Sequence, residues 1–400
     1  MKILQLCKKV PYPLKDGESV AIYTLSKGLA NSGCEISLLA FNTSKHYVEL
    51  GDVLPNQLSH YSTINAISLD TRISYWSAFM NLWNTDKSYN IERFVSDAFT
   101  LKLKELLTMT DYDIIQLETL YMAPYINIIR KHSRAKVIMR SHNIESEIWF
   151  NLASKTRSPL KSWYFNLCGS RLDQYEKQVY ADYDLLLPIT AMDSAKYRNN
   201  GFKGKKYIVP IGLEVEKYIT TNQKNHDKIR MGYIGSLDWK PNIEGLDWFL
   251  NDWEKISLIF PNLEFHLAGR NPGDRYQTSI PNFIMHGEVE SAIKFIDSLD
   301  ILLVPLFSGS GMRVKILEGM LLSKVVISTP KGFEGIDISH NENALCYESL
   351  EDLIQCLENC YNTHDFKENL GKNARNYIIN KFDYNRIAHR LQETYKSILE

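Results

Sequence analysis

The feature that most constrains this chain is the repeated alternation of short apolar runs with longer amphipathic stretches. Runs of this kind are too uniformly apolar to lie half exposed. They need cover on both faces, which a parallel sheet between two layers of helices provides. The first half offers strands at KILQLC, EISLLAF, YDIIQLE, AKVIMRS and YDLLLPIT, and the second at IRMGYIGSL, LEFHLAG, FIMHG, ILLVPLF, VVISTP and ALCY. The fold class expected is α/β. Between the two series, over roughly residues 200–229, Gly, Lys, Asn and Thr mix in GFKGKKYIVPIGLEVEKYITTNQKNHDK, the composition of a hinge. Two doubly wound domains joined near residue 215 are the simplest partition. The first is expected over 1–205 and the second over 206–380, with a final helix over 381–400 packing back toward the first domain.

Charge narrows the partners. Lys and Arg number 46 against 47 Asp and Glu, a net charge of -1, so no general positive field exists to hold a nucleic acid backbone. Nucleic acid is not expected as a partner. The first 200 residues carry a surplus of about three positive charges and the remainder a deficit of about four. No apolar run approaches the roughly 20 residues that span a bilayer, and the opening MKILQLCKKVPYP is broken by Lys8, Lys9 and Pro11. Neither a transmembrane helix nor a signal peptide is expected. The six cysteines are dispersed, with no C-x-x-C pair, which fits a reduced, cytoplasmic chain. Cys356 and Cys360, at i and i+4, read as apolar filling.

In parallel sheets ligands bind beyond the carboxyl ends of strands, so the polar and glycine residues following each run are where chemistry is sought. Gly235 and Ser236 follow MGYI, Gly269 follows FHLA, and Ser308, Gly309, Ser310 and Gly311 follow LLVPLF. That last loop runs into the helical pattern MRVKILEGMLL, where backbone N–H groups and the helix N-terminus suit an anion such as phosphate. Arg313 and Lys315 sit where cations are unfavourable to the helix itself, which suggests that they serve the anion. A solvated basic pair is the alternative. Glu318 either pairs with Lys315 at i, i+3 or accepts hydrogen bonds from vicinal sugar hydroxyls.

His142 closes AKVIMRS beside Arg140, Asn143 and Glu145, a polar cluster at a strand end. The same residue would also suit an ordinary hydrogen-bonded histidine. Tyr23 and Glu118 are further acceptor-side candidates from first-domain loops. Trp239 is expected to pack, and Asn242 to cap the helix that follows Pro241. The strings Asp111-Tyr112-Asp113 and Asp182-Tyr183-Asp184 precede buried strands and read as loop residues, not metal ligands.

Taken together, PLFSGSGMRVKILEGMLLSKVVISTPKGFEGI, IGSLDWKPN, LAGRNPG and IMHGEV resemble the donor domain of the family 4 retaining glycosyltransferases of GT-B fold. The segment PYPLKDGESVAIYTLSKGLANSGCEISLLAF resembles that family's N-terminal strand, glycine loop and helix, and RSHNIES resembles its histidine segment. The resemblance extends over nearly the whole chain and is strongest toward members that build bacterial surface polysaccharides such as lipopolysaccharide or capsule.

The resemblance implies two Rossmann-like domains facing a central cleft, a nucleotide-sugar donor and a saccharide acceptor that is often lipid-linked. It implies no cofactor and no metal. Asp16 and Gly17 would approach the donor diphosphate, as would Gly235, Ser236, Gly269 and the loop of Gly309, Ser310 and Gly311. Arg313 and Lys315 would neutralise the leaving group, His142 would lie near the transferred sugar, and Glu318 would hold the ribose. Retention would follow a front-face route with the leaving phosphate oxygen taking the acceptor proton.

This sequence departs from the family in having Ser310 where the first glutamate of an acidic pair is usual, and in lacking the basic pair after the first donor-domain strand. A non-catalytic partner subunit, suggested by Ser310, and a nucleotide-sugar 2-epimerase remain alternatives. The aromatic and basic mixture in SKTRSPLKSWYFNLCGSRL points to peripheral contact of the first domain with a membrane, or else to an amphipathic helix packed on that domain.

Overall fold

The computed structural model describes residues 1–14, 16–51, 55–72, 88–220, 228–271, 275–276, 280–309, 311–362 and 364–400. It divides into two compact units. One comprises Met1–Leu213 with Tyr384–Glu400, and the other Glu214–Asp383. These divisions fall a few residues after the expected 205/206 and 380/381.

The N-terminal unit holds a six-stranded parallel sheet of β1 (Lys2–Cys7), β2 (Glu35–Thr43), β3 (Thr63–Leu69), β4 (Ile114–Leu117), β5 (Lys136–Ser141) and β6 (Leu185–Pro188), in the order β3-β2-β1-β4-β5-β6. The C-terminal unit repeats the plan with β7 (Ile229–Ser236), β8 (Leu263–Arg270), β9 (Phe283–Gly287), β10 (Ile301–Val304), β11 (Val325–Ser328) and β12 (Leu345–Cys346), in the order β12-β11-β10-β7-β8-β9. Every expected run coincides with one of these strands, β2 and β8 reaching slightly beyond theirs. The unanticipated strand is β3, an edge strand whose apolar residues are only partly buried and are interrupted by Asn65 and Ser68. An edge position removes the need for a continuous apolar run, and with it the signal.

Along β1, side chains alternate between two cores. Leu4 and Leu6 join Leu39, Phe41, Leu117 and Val137 on one face, while Ile3 and Cys7 join Ile36, Leu38, Ala40 and Ile138 on the other. Gln5 falls on the second face and is buried. That face is covered by two helices, Gly17–Asn31 and Tyr384–Leu399. Ile387, Leu391 and Tyr395 recur at i, i+4 and i+8, so the last helix presents an apolar stripe to the core. Gly28 lets the two helices meet, because a Cβ there would lie 2.7 Å from both Ala388 Cβ and the Tyr384 carbonyl. Residues Tyr384–Glu400 therefore belong to the same unit as Met1–Leu213.

The C-terminal unit has its own core around Met231, Tyr233, Phe249, Trp253, Phe265, Leu303 and Ile327, in which Cys356 and Cys360 are buried as apolar filling. In each sheet the strand order reverses once, between β1 and β4 and between β7 and β10. The crevices beyond the carboxyl ends of those strands are where a doubly wound sheet binds ligand.

Candidate active site

In the N-terminal unit the residues beyond β1, β4 and β5 form a buried charged network. Glu118 follows β4 directly, and its N–H donates to the Leu6 carbonyl of β1 at 3.0 Å. Its Oε1 accepts from the amides of Gln5 and Gln116. Its Oε2 stands 2.9 Å from His142 Nε2 and 3.6 Å from Arg140 Nη1. Burial favours the neutral acid, but the Arg140 guanidinium and the hydrogen bond from His142 outweigh it and hold the Glu118 carboxyl below its ordinary range. An ionised carboxylate only accepts, so His142 carries its proton on Nε2, and a neutral ring presents Nδ1 as an acceptor.

Arg140 and Glu118 have 0% side-chain exposure. Both are closed off from solvent, whereas the sequence suggested acceptor-side groups; Glu118 meets His142, and Arg140 lies behind Glu118. Strand alternation put Arg140 on the inward face, where Nη1 also donates to the Ala21 carbonyl at 2.9 Å.

Glu145 is likewise buried, and burial raises its pKa, with nearby Lys8 and the Tyr121 hydroxyl, 2.9 Å away, opposing. Tyr23 is buried too, its ring edge-on to His60 at 5.6 Å, on the inward side of its helix. Asn143 is exposed, and its carbonyl accepts from Ser141 Oγ at 2.9 Å.

Asp16 also differs from expectation. It is the N-cap of the Gly17–Asn31 helix, accepting from Ser19 N–H at 2.9 Å, and its other oxygen pairs with Lys9 at 2.7 Å. The carboxylate thus occupies a helix end that a phosphate would need. Gly17 is open, since a Cβ there would meet nothing within 4 Å. Lys8, 3.0 Å from Glu18 and 5.0 Å from the Tyr121 ring centroid, went unrecognised although its place directly after a switch-point strand was visible.

In the C-terminal unit a second cluster forms beyond β7 and β10. The half-buried Lys315 reaches back to Tyr233, with Nζ 3.0 Å from the hydroxyl and 4.2 Å from the ring centroid. Both end over Gly235. A Cβ there would lie 2.7 Å from Lys315 Nζ, 2.8 Å from Tyr233 Oη and 2.9 Å from Asn242 Nδ2, so only glycine leaves room for the three polar tips. Burial first, and Arg313 second, lower the Lys315 pKa to about 7, with Glu318 opposing. Arg313 is buried, directly precedes the helix Val314–Leu321, and donates to the Gly311 carbonyl. No side chain caps that helix N-terminus. Gly309 and Gly311 have φ of +100° and +84°, the left-handed region that favours glycine. Ser310 lies outside the described residues.

Glu318 accepts from the Tyr218 hydroxyl at 2.9 Å, and burial raises its pKa. Lys315 and Glu318 thus turn to different partners instead of to each other. Ser236 donates to Asp238 at 2.7 Å, and its carbonyl accepts from Asn242 Nδ2 at 2.7 Å. Asn242 is therefore inside the helix Lys240–Asn251, tying it to β7; the N-cap is Trp239, which is 43% exposed and not packed away. Gly269 is needed for backbone approach, because a Cβ there would fall 2.0 Å from the Gly235 carbonyl. Its place in the described structure is thus set by packing against β7. Arg313 and Lys315 beside an uncapped helix N-terminus are groups of the kind that suit a phosphate-type anion. Tyr233 and Tyr218 were missed because one reads as core and the other as hinge.

The acidic strings hold strands together. Asp113 accepts from the Lys2 N–H at 2.7 Å, and Asp184 from Arg130 at 2.8 Å and the Val137 N–H at 2.7 Å. Among the described residues no group of three or more His, Cys, Asp or Glu side chains is arranged to hold a metal ion.

The sequence model of the family described as "Glycosyl transferases group 1" matches residues 228–363. A Klebsiella pneumoniae relative, an uncharacterized 44.6 kDa protein in a cps region, is 22% identical over 252 residues. The match spans 60% of this chain and 63% of that relative, less than two thirds of its length. Among solved structures, sucrose-phosphate synthase from Thermosynechococcus elongatus aligns with TM-score 0.68 and 16% identity, over 100% of this chain and 99% of its own. Anabaena HepE in complex with UDP aligns with TM-score 0.66 and 12% identity, over 99% and 100%. The same protein with UDP-glucose aligns with 0.63 and 14%, over 99% and 100%. Residues 228–363 thus match the glycosyl transferases group 1 model, and the two six-stranded parallel sheets are the fold of GT-B glycosyltransferase structures.

Proposed function

We propose that this chain transfers a hexose-type sugar, with retention, from a nucleoside-diphosphate donor to a hydroxyl of a growing saccharide in cell-surface polysaccharide synthesis. The observation that carries the reading is the placement of Arg313 and Lys315 at the uncapped N-terminus of the Val314–Leu321 helix, with Arg313 beside Gly309 and Lys315 over Gly235. Two cations and oriented N–H groups stabilise charge that grows on a departing diphosphate, so no divalent ion is required. HepE's complexes with UDP and UDP-glucose, and the relative's place in a cps region, support the donor class and the pathway. Glu318 holds ribose hydroxyls. In the N-terminal unit, His142 offers Nδ1 as an acceptor for a sugar hydroxyl, its ring fixed by Glu118. The leaving phosphate oxygen takes the acceptor proton.

The acceptor is lipid-linked, and the chain works at the cytoplasmic membrane face. Leu160 is 81% exposed, Trp163 58% and Leu152 45%, with exposed Lys155, Arg157 and Lys161 among them. An amphipathic helix packed on its domain accounts for buried Cys168 and Leu172 but not for these. Among the described residues no helix is long and apolar enough to cross a membrane. Incubation with UDP-glucose and other nucleotide sugars tests the activity. Slow release of free sugar is expected without acceptor, whereas an epimerised nucleotide sugar, or a donor left intact across the panel, would overturn the reading.

A further inference from the structure

Glu176 lies in the helix Pro159–Gln178 and is 3% exposed. It faces a small cavity also lined by Leu120, Met139, Ser141, Tyr183, Leu186 and Tyr197. The groups that act on it most are a phenol and acids. Tyr197 comes from the helix Ala191–Asn199, Glu145 and Glu147 from the helix Glu145–Lys155, and Asp173 from its own helix, with Tyr180 and Tyr183 beyond that helix's end. The two nearby lysines are engaged elsewhere, Lys196 with Glu147 at 2.6 Å and Lys177 with Asp173 at 2.7 Å.

Hydrogen counting decides the state of this acid. Ser141 Oγ donates to the Asn143 carbonyl at 2.9 Å, and Ser141 Oγ and Tyr197 Oη are 2.7 Å apart. Tyr197 Oη is also 2.7 Å from Glu176 Oε1. Three contacts need three hydrogens, and the two hydroxyls supply only two. With the Ser141 hydrogen on Asn143, the Tyr197 hydrogen goes to Ser141, and the third must come from the Glu176 carboxyl. The other carboxyl oxygen, Oε2, is buried with no hydrogen-bond partner among the described residues, a poor setting for a full negative charge.

We infer that Glu176 is a positioning residue: held as the neutral acid, it donates to Tyr197 and fixes the Ser141–Asn143 turn that carries His142. Loss of its proton leaves the Tyr197 hydroxyl to turn toward the carboxylate, which withdraws the hydrogen from Ser141 and loosens the turn. Burial, reinforced by Glu145 and Asp173 and opposed by Tyr197, pushes the Glu176 pKa up to about 8, in keeping with this state. The bearing on transfer rests on the role proposed for His142, but the chain of hydrogen bonds does not.

The test uses the full-length protein without substrate, labelled with carbon-13 at glutamate carboxyls and nitrogen-15 in histidine rings. One carboxyl resonance, absent from Glu176→Gln, is expected in the protonated position at pH 7 and to titrate with a midpoint near 8. The His142 ring resonances should shift with the same midpoint in the wild type and stay still in Glu176→Gln, whose amide keeps a donor for Tyr197. A Glu176 resonance already ionised at pH 7, or a His142 response that persists in Glu176→Gln, would overturn the inference. Should Glu176→Gln fold poorly, Tyr197→Phe serves instead. It breaks the relay while leaving the acid, so His142 must lose its response near pH 8 although Glu176 still titrates. Failure of transfer activity would leave these readings untouched.

Discussion

His142 Nε2 and Glu118 Oε2 are 2.9 Å apart, and the carboxylate has no solvent-exposed surface. A histidine at a strand end is thereby oriented by a charge that water cannot screen, and Arg140 behind it keeps that charge in place.

Glu118→Gln should be costly, because it leaves Arg140 buried without its counter-charge. Breaking a buried pair in this way typically destabilises by about 3–5 kcal/mol. Urea unfolding should show it, whereas a loss within experimental error would mean that Arg140 is satisfied otherwise. The pH dependence has a definite sign. The folded-state pKa of Glu118 is depressed, so its contribution is present above the ordinary carboxylate range near 4 and is lost as pH falls through the lower folded value.

Burial and Arg313 lower the Lys315 pKa to about 7, so this lysine titrates near neutrality. A bound diphosphate favours the charged form, so UDP binding should take up a proton. Titration calorimetry in buffers of different ionisation enthalpy would detect it, and affinity should weaken by up to about tenfold per pH unit above 7. Lys315→Met should bind weakly and without proton uptake. Buffer-independent enthalpy in the wild type would place the lysine away from the phosphates.

Two glycine-to-alanine changes separate site from scaffold. Gly235→Ala displaces Lys315, Tyr233 and Asn242, so UDP affinity should fall about tenfold while the melting temperature changes little, since the displaced atoms are side-chain tips. Gly269→Ala drives a methyl into the Gly235 carbonyl and should destabilise the fold by about 1–3 kcal/mol. Similar effects of both on stability would erase the distinction.

The exposed apolar side chains offer a test of membrane contact. Trp163→Glu with Leu160→Glu should abolish co-sedimentation with anionic vesicles, while Lys161→Glu should weaken it mainly at low salt. Basic residues contribute only about 1 kcal/mol each near an anionic leaflet, so binding should be reversible. Equal recovery of wild type and double variant in the supernatant, at low and high salt, would favour a soluble acceptor.

Much of this protein was legible in its sequence, because short apolar runs alternating with amphipathic stretches are the pattern of parallel strands covered on both faces, and ligands bind beyond their carboxyl ends. The two sheets, the loop around Gly309 and Gly311, and the pairing of Arg313 with Lys315 at one helix end all follow from local pattern. What local pattern leaves open is which side of an element faces inward and what it meets there. Asp16 became a cap, Gly269 a packing residue, Arg140 and Glu118 a buried pair, and β3 a strand only as the edge of a sheet already formed. Glu176 makes the same point, since nothing near it in the chain indicates Ser141. Only the packing of the Pro159–Gln178 and Ala191–Asn199 helices beside β5 brings the acid, the phenol and the hydroxyl into one line, because burial and proton sharing depend on neighbours distant in sequence.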